Sequence, residues 1–170
     1  NVFQNIGHLG LEHVYEAAAI KLHTAKHVLI AHNHISRLRD CCGIWIDFNC
    51  SHNRLSGNVI YDAITVLAGI YIEANLHPNT VDGNVIWKMR NADFNSDPVK
   101  DGLAGGIGIS VDISEDITVA HNLVVDCETT GIAVVLAQKG RSVHGNSSSC
   151  SGMQVLNNII AGCHTNFIWD

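Results

Sequence analysis

The most regular feature of the chain is a short stretch in which large apolar residues alternate with residues of other kinds. This stretch recurs five times and begins at Ile20, Ile44, Ile70, Ile107 and Ile132. Strict alternation has the period of a β-strand, so the isoleucines, leucines and valines should point to one side and the intervening residues to the other. The pattern therefore predicts five equivalent strands, each with one buried face.

A second motif follows each of these strands and centres on an asparagine with apolar residues on both sides. The asparagines are Asn33, Asn58, Asn84, Asn122 and Asn158, and Asn1 fits the end of the same pattern. The first two steps between them are 25 and 26 residues, and the next two are 38 and 36. We expect the asparagines to align at one corner of a repeating coil, where each amide can bond the backbone and the next asparagine.

Repeats of this length, each with at least two short strands, predict an all-β fold. The expected architecture is a single-stranded right-handed parallel β-helix, a solenoid of about five to six coils. The alternative, a leucine-rich repeat, would need more leucines than this chain has. One domain should span residues 1–170, with loop insertions at 92–105 and 138–152 that account for the two longer steps. Both chain ends fall inside a repeat, so we expect the chain to be part of a longer protein.

In aligned coils the outward residues of successive strands form columns. The last outward position of each strand gives the column His23, Asp47, Glu73, Ser110 and Val135. The preceding outward position gives the column Lys21, Trp45, Tyr71, Gly108 and Ala133. A glycine precedes most of the strands, at Gly43, Gly69, Gly106 and Gly131, where we expect a corner with an unusual backbone angle. Polar and aromatic side chains are thus concentrated on three neighbouring coils, which indicates a localised site.

Composition narrows the classes of partner. The formal net charge is −6 and there is no cluster of lysine and arginine, so we expect no nucleic-acid partner. No apolar run approaches the ~18 residues of a membrane span. No secretion leader is visible, and both a cytoplasmic and a secreted location stay open.

The six cysteines lack metal-binding spacing, so we expect buried thiols, no metal and no cofactor. The oligomeric state is not indicated.

Asp47 and Glu73 are the candidate catalytic residues. Neighbouring strands lie ~4.8 Å apart, and retaining glycosidases hold their two carboxyl groups ~5–5.5 Å apart, whereas inverting enzymes need ~6.5–9.5 Å. Two carboxylates this close do not ionise independently, so one should carry the proton that catalysis needs. The shorter Asp47 suits the nucleophile and the longer Glu73 the acid/base. The alternative is that both residues only make the face soluble or bind calcium.

Four neighbouring side chains are candidate substrate-binding residues. Trp45 and Tyr71 could form a platform for sugar rings, or else a structural aromatic stack that shields the sheet. His23 could donate a hydrogen bond to a substrate hydroxyl or orient Asp47. Lys21 would serve as the counter-charge to Asp47.

These segments resemble the β-xylosidases of glycoside hydrolase family 120. The resemblance is carried by residues 19–23 (AIKLH), by 43–48 (GIWIDF) and by 73–78 (EANLHP). It implies a retaining mechanism on xylo-oligosaccharides, with Asp47 as nucleophile and Glu73 as acid/base. It also adds Asn75 and His77 as substrate-binding residues. Phe48, Ala74 and the pair Leu76-His77 depart from the family pattern, and all lie beside the expected sugar pocket.

Two other functions fit the same scaffold, and a carbohydrate is the expected partner in each. A polysaccharide lyase or epimerase would abstract a proton beside a uronate carboxylate, and Lys21 is the obvious base. A non-catalytic carbohydrate-binding module would use the columns only as a ridged surface. Products that absorb in the ultraviolet would indicate a lyase, and binding without cleavage would indicate a binding module.

Overall fold

A computed structural model describes residues 1–7, 17–92, 105–137, 142–143, 145–147 and 149–170. Sheet A contains β1 (Val2–Gln4), β4 (His34–Arg39), β7 (Val59–Thr65), β10 (Val85–Asn91), β13 (Leu123–Cys127) and β18 (Ile159–Ala161). Sheet B contains β2 (Ala18–His23), β5 (Cys42–Asp47), β8 (Ala68–Glu73), β11 (Ile107–Asp112), β14 (Thr130–Val135) and β19 (Thr165–Trp169). Sheet C contains β3 (Leu29–Ala31), β6 (Arg54–Ser56), β9 (Asn79–Asp82), β12 (Ile117–Ala120) and β17 (Gln154–Leu156).

The chain passes through sheets B, C and A in turn, and every strand pair within these sheets is parallel. This confirms the all-β parallel β-helix. Each complete coil has three strands, because the apolar residues before each asparagine form sheet C. A short antiparallel pair, β15 (Ser142–Val143) and β16 (Asn146–Ser147), lies outside the coils. Residues 93–104 of the first expected insertion (92–105) and residues 138–141, 144 and 148 of the second (138–152) lie outside the described residues. Within the described part of the chain, no helix is long and apolar enough to cross a membrane.

The asparagines align at one corner as predicted, and their side chains form a continuous row of hydrogen bonds, the asparagine ladder. The side-chain amide of each asparagine donates to the Oδ1 atom of the next, at 2.9 Å from Asn33 to Asn58, 3.0 Å from Asn58 to Asn84 and 3.0 Å from Asn84 to Asn122. Asn122 continues the ladder to Asn158 at 2.9 Å, and Asn1 extends it at the other end with a bond of 3.1 Å to Asn33. The same amides also donate to backbone carbonyls, which satisfies polar groups in the interior.

The corner that carries the ladder has a constant length. Two residues separate each strand of sheet C from the following strand of sheet A, and the second of them is the asparagine. The first adopts a left-handed backbone conformation, with φ between 53° and 63°, at His32, Gly57, Gly83, His121 and Asn157. Corner geometry is therefore the same in five successive coils, whatever residue comes first.

The four middle strands of sheet B are buried on both faces. All six residues of β5, β8, β11 and β14 are buried. Their inward side chains join the central core, as Ile44 and Ile70 do, whereas Trp45 and Tyr71 form a second cluster on the outer face with Leu67. The outward column of this sheet is thus in a protected environment.

The structure gives a different reason for the glycines of sheet B. Gly43, Gly69, Gly108 and Gly131 stack in successive coils without a left-handed φ. A β-carbon on Gly43 would lie 2.4 Å from the carbonyl oxygen of Gly69, and one on Gly108 would lie 2.6 Å from that of Gly131. Glycine is needed here for close approach of the backbones. The expected unusual angle is wrong for Gly43, Gly69 and Gly131, and holds only for Gly106, with φ 75°.

The six cysteines are free thiols, in agreement with the expectation from their spacing. Cys41, Cys42, Cys50 and Cys127 are buried. Burial raises the pKa of the Cys41 thiol to about 11 and that of Cys42 to about 12. The buried thiols therefore stay protonated and behave as small apolar side chains.

Candidate functional site

The register of sheet B assembles three carboxylates in one outward column. His23 pairs with Asp47, and Glu73 pairs with Asp112 in the next coil. Trp45 pairs with Tyr71, and this register puts Asp47 beside Glu73. The predicted neighbours Asp47 and Glu73 are thus on adjacent strands.

Ser110 is not in this column, and the expectation that it follows Glu73 is wrong. Ser110 pairs with Tyr71 and Ala133, one outward position earlier, where Gly108 was expected. Sequence reasoning therefore missed Asp112. Aligning Gly108 rather than Gly106 with Gly43 and Gly69 would have found it.

Asp47 is held by contacts to both of its carboxylate oxygens. Its Oδ2 forms a salt bridge of 3.1 Å with Lys21 Nζ, and its Oδ1 accepts a hydrogen bond of 2.7 Å from the Phe48 backbone N–H. Lys21 Nζ also lies 3.6 Å from the centre of the Trp45 ring. Asp47 is 8% exposed. The Asp47 carboxylate is thereby held in one orientation by an ion pair and a backbone hydrogen bond.

Glu73 and Asp112 are less exposed than Asp47. Glu73 is 6% exposed and Asp112 is fully buried. Asp112 accepts hydrogen bonds from the Tyr71 hydroxyl at 3.2 Å and from the Ala137 backbone N–H at 2.9 Å. Burial first, and then the charges of Glu73 and Asp112, raise the pKa of Tyr71 well above its ordinary value. Tyr71 therefore stays protonated and acts as a hydrogen-bond donor.

The two aromatic residues of the site are buried rather than open. Trp45 is 3% and Tyr71 1% exposed, and their ring centres lie 5.3 Å apart at an angle of 55°. Trp45 Nε1 is buried without a hydrogen-bond partner among the described residues. This packing corresponds to the structural aromatic stack that the sequence left as an alternative, and sugar stacking on these rings stays a prediction.

The remaining candidate residues are in different surroundings. His23 is exposed and its ring stacks on that of Phe48, with centres 5.7 Å apart. His77 is also exposed. Asn75 is fully buried, and its side-chain amide donates to the carbonyl oxygens of Ile46, at 3.0 Å, and Glu73, at 2.8 Å. These bonds make Asn75 a corner residue that fixes the end of the strand carrying Glu73.

Comparison with known families gives a match over nearly the whole chain. The model of a family described as periplasmic copper-binding protein (NosD) matches residues 2–158. The chain belongs to the NosD family. The short motifs of this NosD-family chain resemble β-xylosidases of glycoside hydrolase family 120, but the comparisons do not support membership of that family. No curated protein matches it.

One solved structure is similar to the NosD-family chain, the crystal structure of the periplasmic alginate epimerase AlgG. The identity is 16% and the TM-score 0.29, and the match covers 89% of this chain and 42% of that one. The chain thus spans less than half the length of that protein.

The described residues do not fit a copper centre of the kind named in the family description. Copper in proteins is held by converging imidazoles and thiolates. Within the described ranges, no group of three or more His, Cys, Asp and Glu side chains could hold a metal ion. His27 and His52 come together with ring centres 5.1 Å apart, but as a pair only.

Proposed function

We propose that the protein is a retaining glycoside hydrolase that acts on oligosaccharides. The observation that carries this proposal is the register of sheet B, in which Asp47 and Glu73 occupy equivalent outward positions on adjacent strands. Adjacent parallel strands are ~4.8 Å apart, close to the ~5–5.5 Å between the carboxyl groups of retaining enzymes.

In this mechanism Asp47 is the nucleophile. The salt bridge with Lys21 supports the negative charge that attack on the anomeric carbon requires. A bond forms between an Asp47 oxygen and that carbon while the bond to the leaving oxygen breaks and Glu73 gives that oxygen a proton. In the second step Glu73 takes a proton from water, whose oxygen attacks the same carbon and releases Asp47.

Asp112 has a positioning role in the proposal. It is fully buried and bonded to Tyr71, so it does not touch substrate. Asp112 places a second carboxylate next to Glu73, on the side away from Asp47. Its bond with Tyr71, which lies on the same strand as Glu73, would hold that strand in place.

Lyase or epimerase chemistry has less support. Lys21, the base that such chemistry would use, pairs with Asp47 and lies over Trp45. Both contacts favour its protonated form, and a base must be unprotonated.

The proposal is tested with a panel of aryl glycosides that starts with β-xylosides and includes uronate-containing oligosaccharides. We expect hydrolysis with retention, detected by NMR of the first-formed anomer. Asp47→Asn should lower kcat at least about a thousandfold. Glu73→Gln should lose far less activity on substrates with good leaving groups than on substrates with poor ones. Asp82→Asn, which changes a carboxylate on sheet C, is the matched control.

Several results would overturn the proposal. Full activity in Asp47→Asn, or an inverted first product, would remove the mechanism. Unsaturated products that absorb in the ultraviolet would replace hydrolysis with a lyase reaction. Oligosaccharide binding without cleavage of any panel member would make the protein a binding module.

A further inference from the structure

A cavity of about 240 Å³ lies on the outer side of sheet A, away from the carboxylate column. Three arginines line it, namely Arg37, Arg39 and Arg90. Asp62 and the half-exposed Ile64 complete its polar and apolar walls. The lining is therefore rich in positive charge, in a chain whose formal net charge is −6.

The backbone of sheet A explains why charged side chains gather at this place. Arg37, Asp62, Lys88 and Asp126 have left-handed φ angles between 51° and 55°, at the same position in four successive strands. A left-handed residue turns the strand, so that two residues instead of one separate successive inward side chains such as Ile35 and Leu38. The polar side chains at and after this turn therefore lie together on the outer face. The turn recurs in all four strands, and three arginines gather at this cavity.

The guanidinium groups are fixed by neighbouring groups. Arg37 donates to the side-chain oxygens of Gln4 and Asn5, at 2.8 Å each. Arg90 donates to the backbone oxygen and to Oδ2 of Asp126, also at 2.8 Å each. The hydrogen bond to Asp126 raises the pKa of Arg90, so its charge is retained.

Arg39 is more exposed than Arg90. Its side chain is 61% exposed, and its Nε lies 3.9 Å from a carboxylate oxygen of Asp40, which is a loose contact. A guanidinium in this state can accept a planar anion on its fork of N–H donors.

An aromatic pair lies on the same face of the same strands. The rings of Tyr61 and Trp87 stack with centres 4.4 Å apart and planes at 5°. Both side chains are half-buried, so part of each ring is open. Exposed aromatic rings beside polar groups are suited to the apolar faces of sugars.

We infer that this cavity binds an oligosaccharide that carries carboxylate groups, in other words one that contains uronate residues. The arginines would bind the carboxylates, and Ile64 with the aromatic pair would contact the rings. The site is on sheet A, so it goes beyond the proposed hydrolysis on sheet B and does not depend on it.

The test is binding of an oligogalacturonate hexamer, compared with neutral xylohexaose, by isothermal titration calorimetry at low salt. The key variants are Ile64→Glu and Ile64→Gln, which have the same size and differ in charge at the cavity wall. We expect Ile64→Glu to weaken binding of the acidic hexamer at least about tenfold, and Ile64→Gln to stay within about threefold of the wild type.

A second pair of variants probes the arginines directly. Arg39→Gln should also weaken binding about tenfold, because it removes charge-assisted hydrogen bonds. Arg54→Gln, the same change at an exposed arginine of sheet C, should leave binding unchanged. Circular dichroism checks that all four variants are folded. Asp47→Asn should bind the hexamer normally, which separates this site from the proposed active site.

The inference is overturned if the acidic hexamer does not bind or binds no better than xylohexaose. Equal effects of Ile64→Glu and Ile64→Gln, or of Arg39→Gln and Arg54→Gln, would also overturn it. A heparin hexamer that binds more tightly than the oligogalacturonate would assign the cavity to sulfate groups instead, and would reject the carboxylate ligand.

Discussion

The hydroxyl of Tyr71 donates a hydrogen bond of 3.2 Å to Oδ2 of Asp112, which lies in the next coil and is fully buried. This bond joins the two outward columns of sheet B. The Ala137 backbone N–H donates a second hydrogen bond to the same carboxylate. Loss of the phenol group should therefore destabilise the candidate site.

The first prediction follows from this bond. Tyr71→Phe leaves a buried carboxylate oxygen with one donor fewer, so it should lower the free energy of unfolding by about 1–3 kcal/mol. Urea denaturation measures the change. Tyr61→Phe removes the same group from a half-buried ring and should cost less than about 0.5 kcal/mol. Equal losses in the two variants would show that the bond to Asp112 contributes nothing.

The second prediction concerns the asparagine ladder. Asn58→Ala removes donors to Ile30 and Asn84 and the acceptor for Asn33, all in the interior. Buried groups without partners are costly, and we expect a loss of about 2–4 kcal/mol in urea denaturation. Gln154→Ala, at an exposed site on sheet C, should change stability by less than about 0.5 kcal/mol. A similar small change for Asn58→Ala would mean that the ladder is dispensable.

The third prediction distinguishes two reasons for glycine, namely the close approach of two backbones and a left-handed backbone angle. Gly43→Ala would bring a β-carbon to 2.4 Å from a backbone oxygen that cannot move aside easily, so we expect a loss of about 3 kcal/mol. Gly83→Ala meets nothing nearer than 3.9 Å and suffers only from its left-handed φ of 63°, at about 1 kcal/mol. Thermal melts of the two variants should rank them in this order. The reverse order would restore the backbone-angle explanation.

The fourth prediction is a pH dependence on sheet C. Arg54 donates to both oxygens of Asp82, at 2.8 and 2.6 Å, and these bonds lower the pKa of Asp82. A carboxyl with a lower pKa in the folded chain stabilises the fold above its unfolded pKa, and that contribution is lost as the pH falls through the folded pKa.

The stability difference between the wild type and Arg54→Gln should therefore be present at neutral pH and disappear in acid, below the ordinary carboxyl value of ~4. Denaturation curves from neutral to acidic pH measure it. Because the Arg54 side chain is 60% exposed, the difference should be small and should shrink in high salt. A difference that grows in acid would contradict the assignment.

The sequence predicted the fold well because the stacking of coils produces two regular patterns of residues. Alternating isoleucines specify which face of each strand is buried, and Asn33, Asn58 and Asn84 recur at nearly equal steps. The third sheet was harder to foresee, since strands such as Leu29–Ala31 are too short to show an alternation of their own.

The register after the first insertion was wrong for a physical reason. A strand pattern of period 2 is unchanged by a shift of two residues, so Ile107 and Ile109 are equally good starting points. The glycine is the distinguishing residue, because Gly108, and not Gly106, lies opposite Gly69. The tight backbone contact that requires this glycine is a packing distance, which the sequence does not show. The burial of Trp45 and Tyr71 could not be predicted either, because it depends on what covers the outer face of sheet B.

The constant two-residue corner has a consequence for how proteins of this design can vary. Since the ladder fixes the connection from sheet C to sheet A, added residues can enter only at the other two connections, and both long steps in the chain do so. Those two connections border sheet B on either side. The loops that border the outward column of Asp47, Glu73 and Asp112 can therefore vary in length and composition. The asparagine ladder meanwhile keeps the stacking of the coils constant.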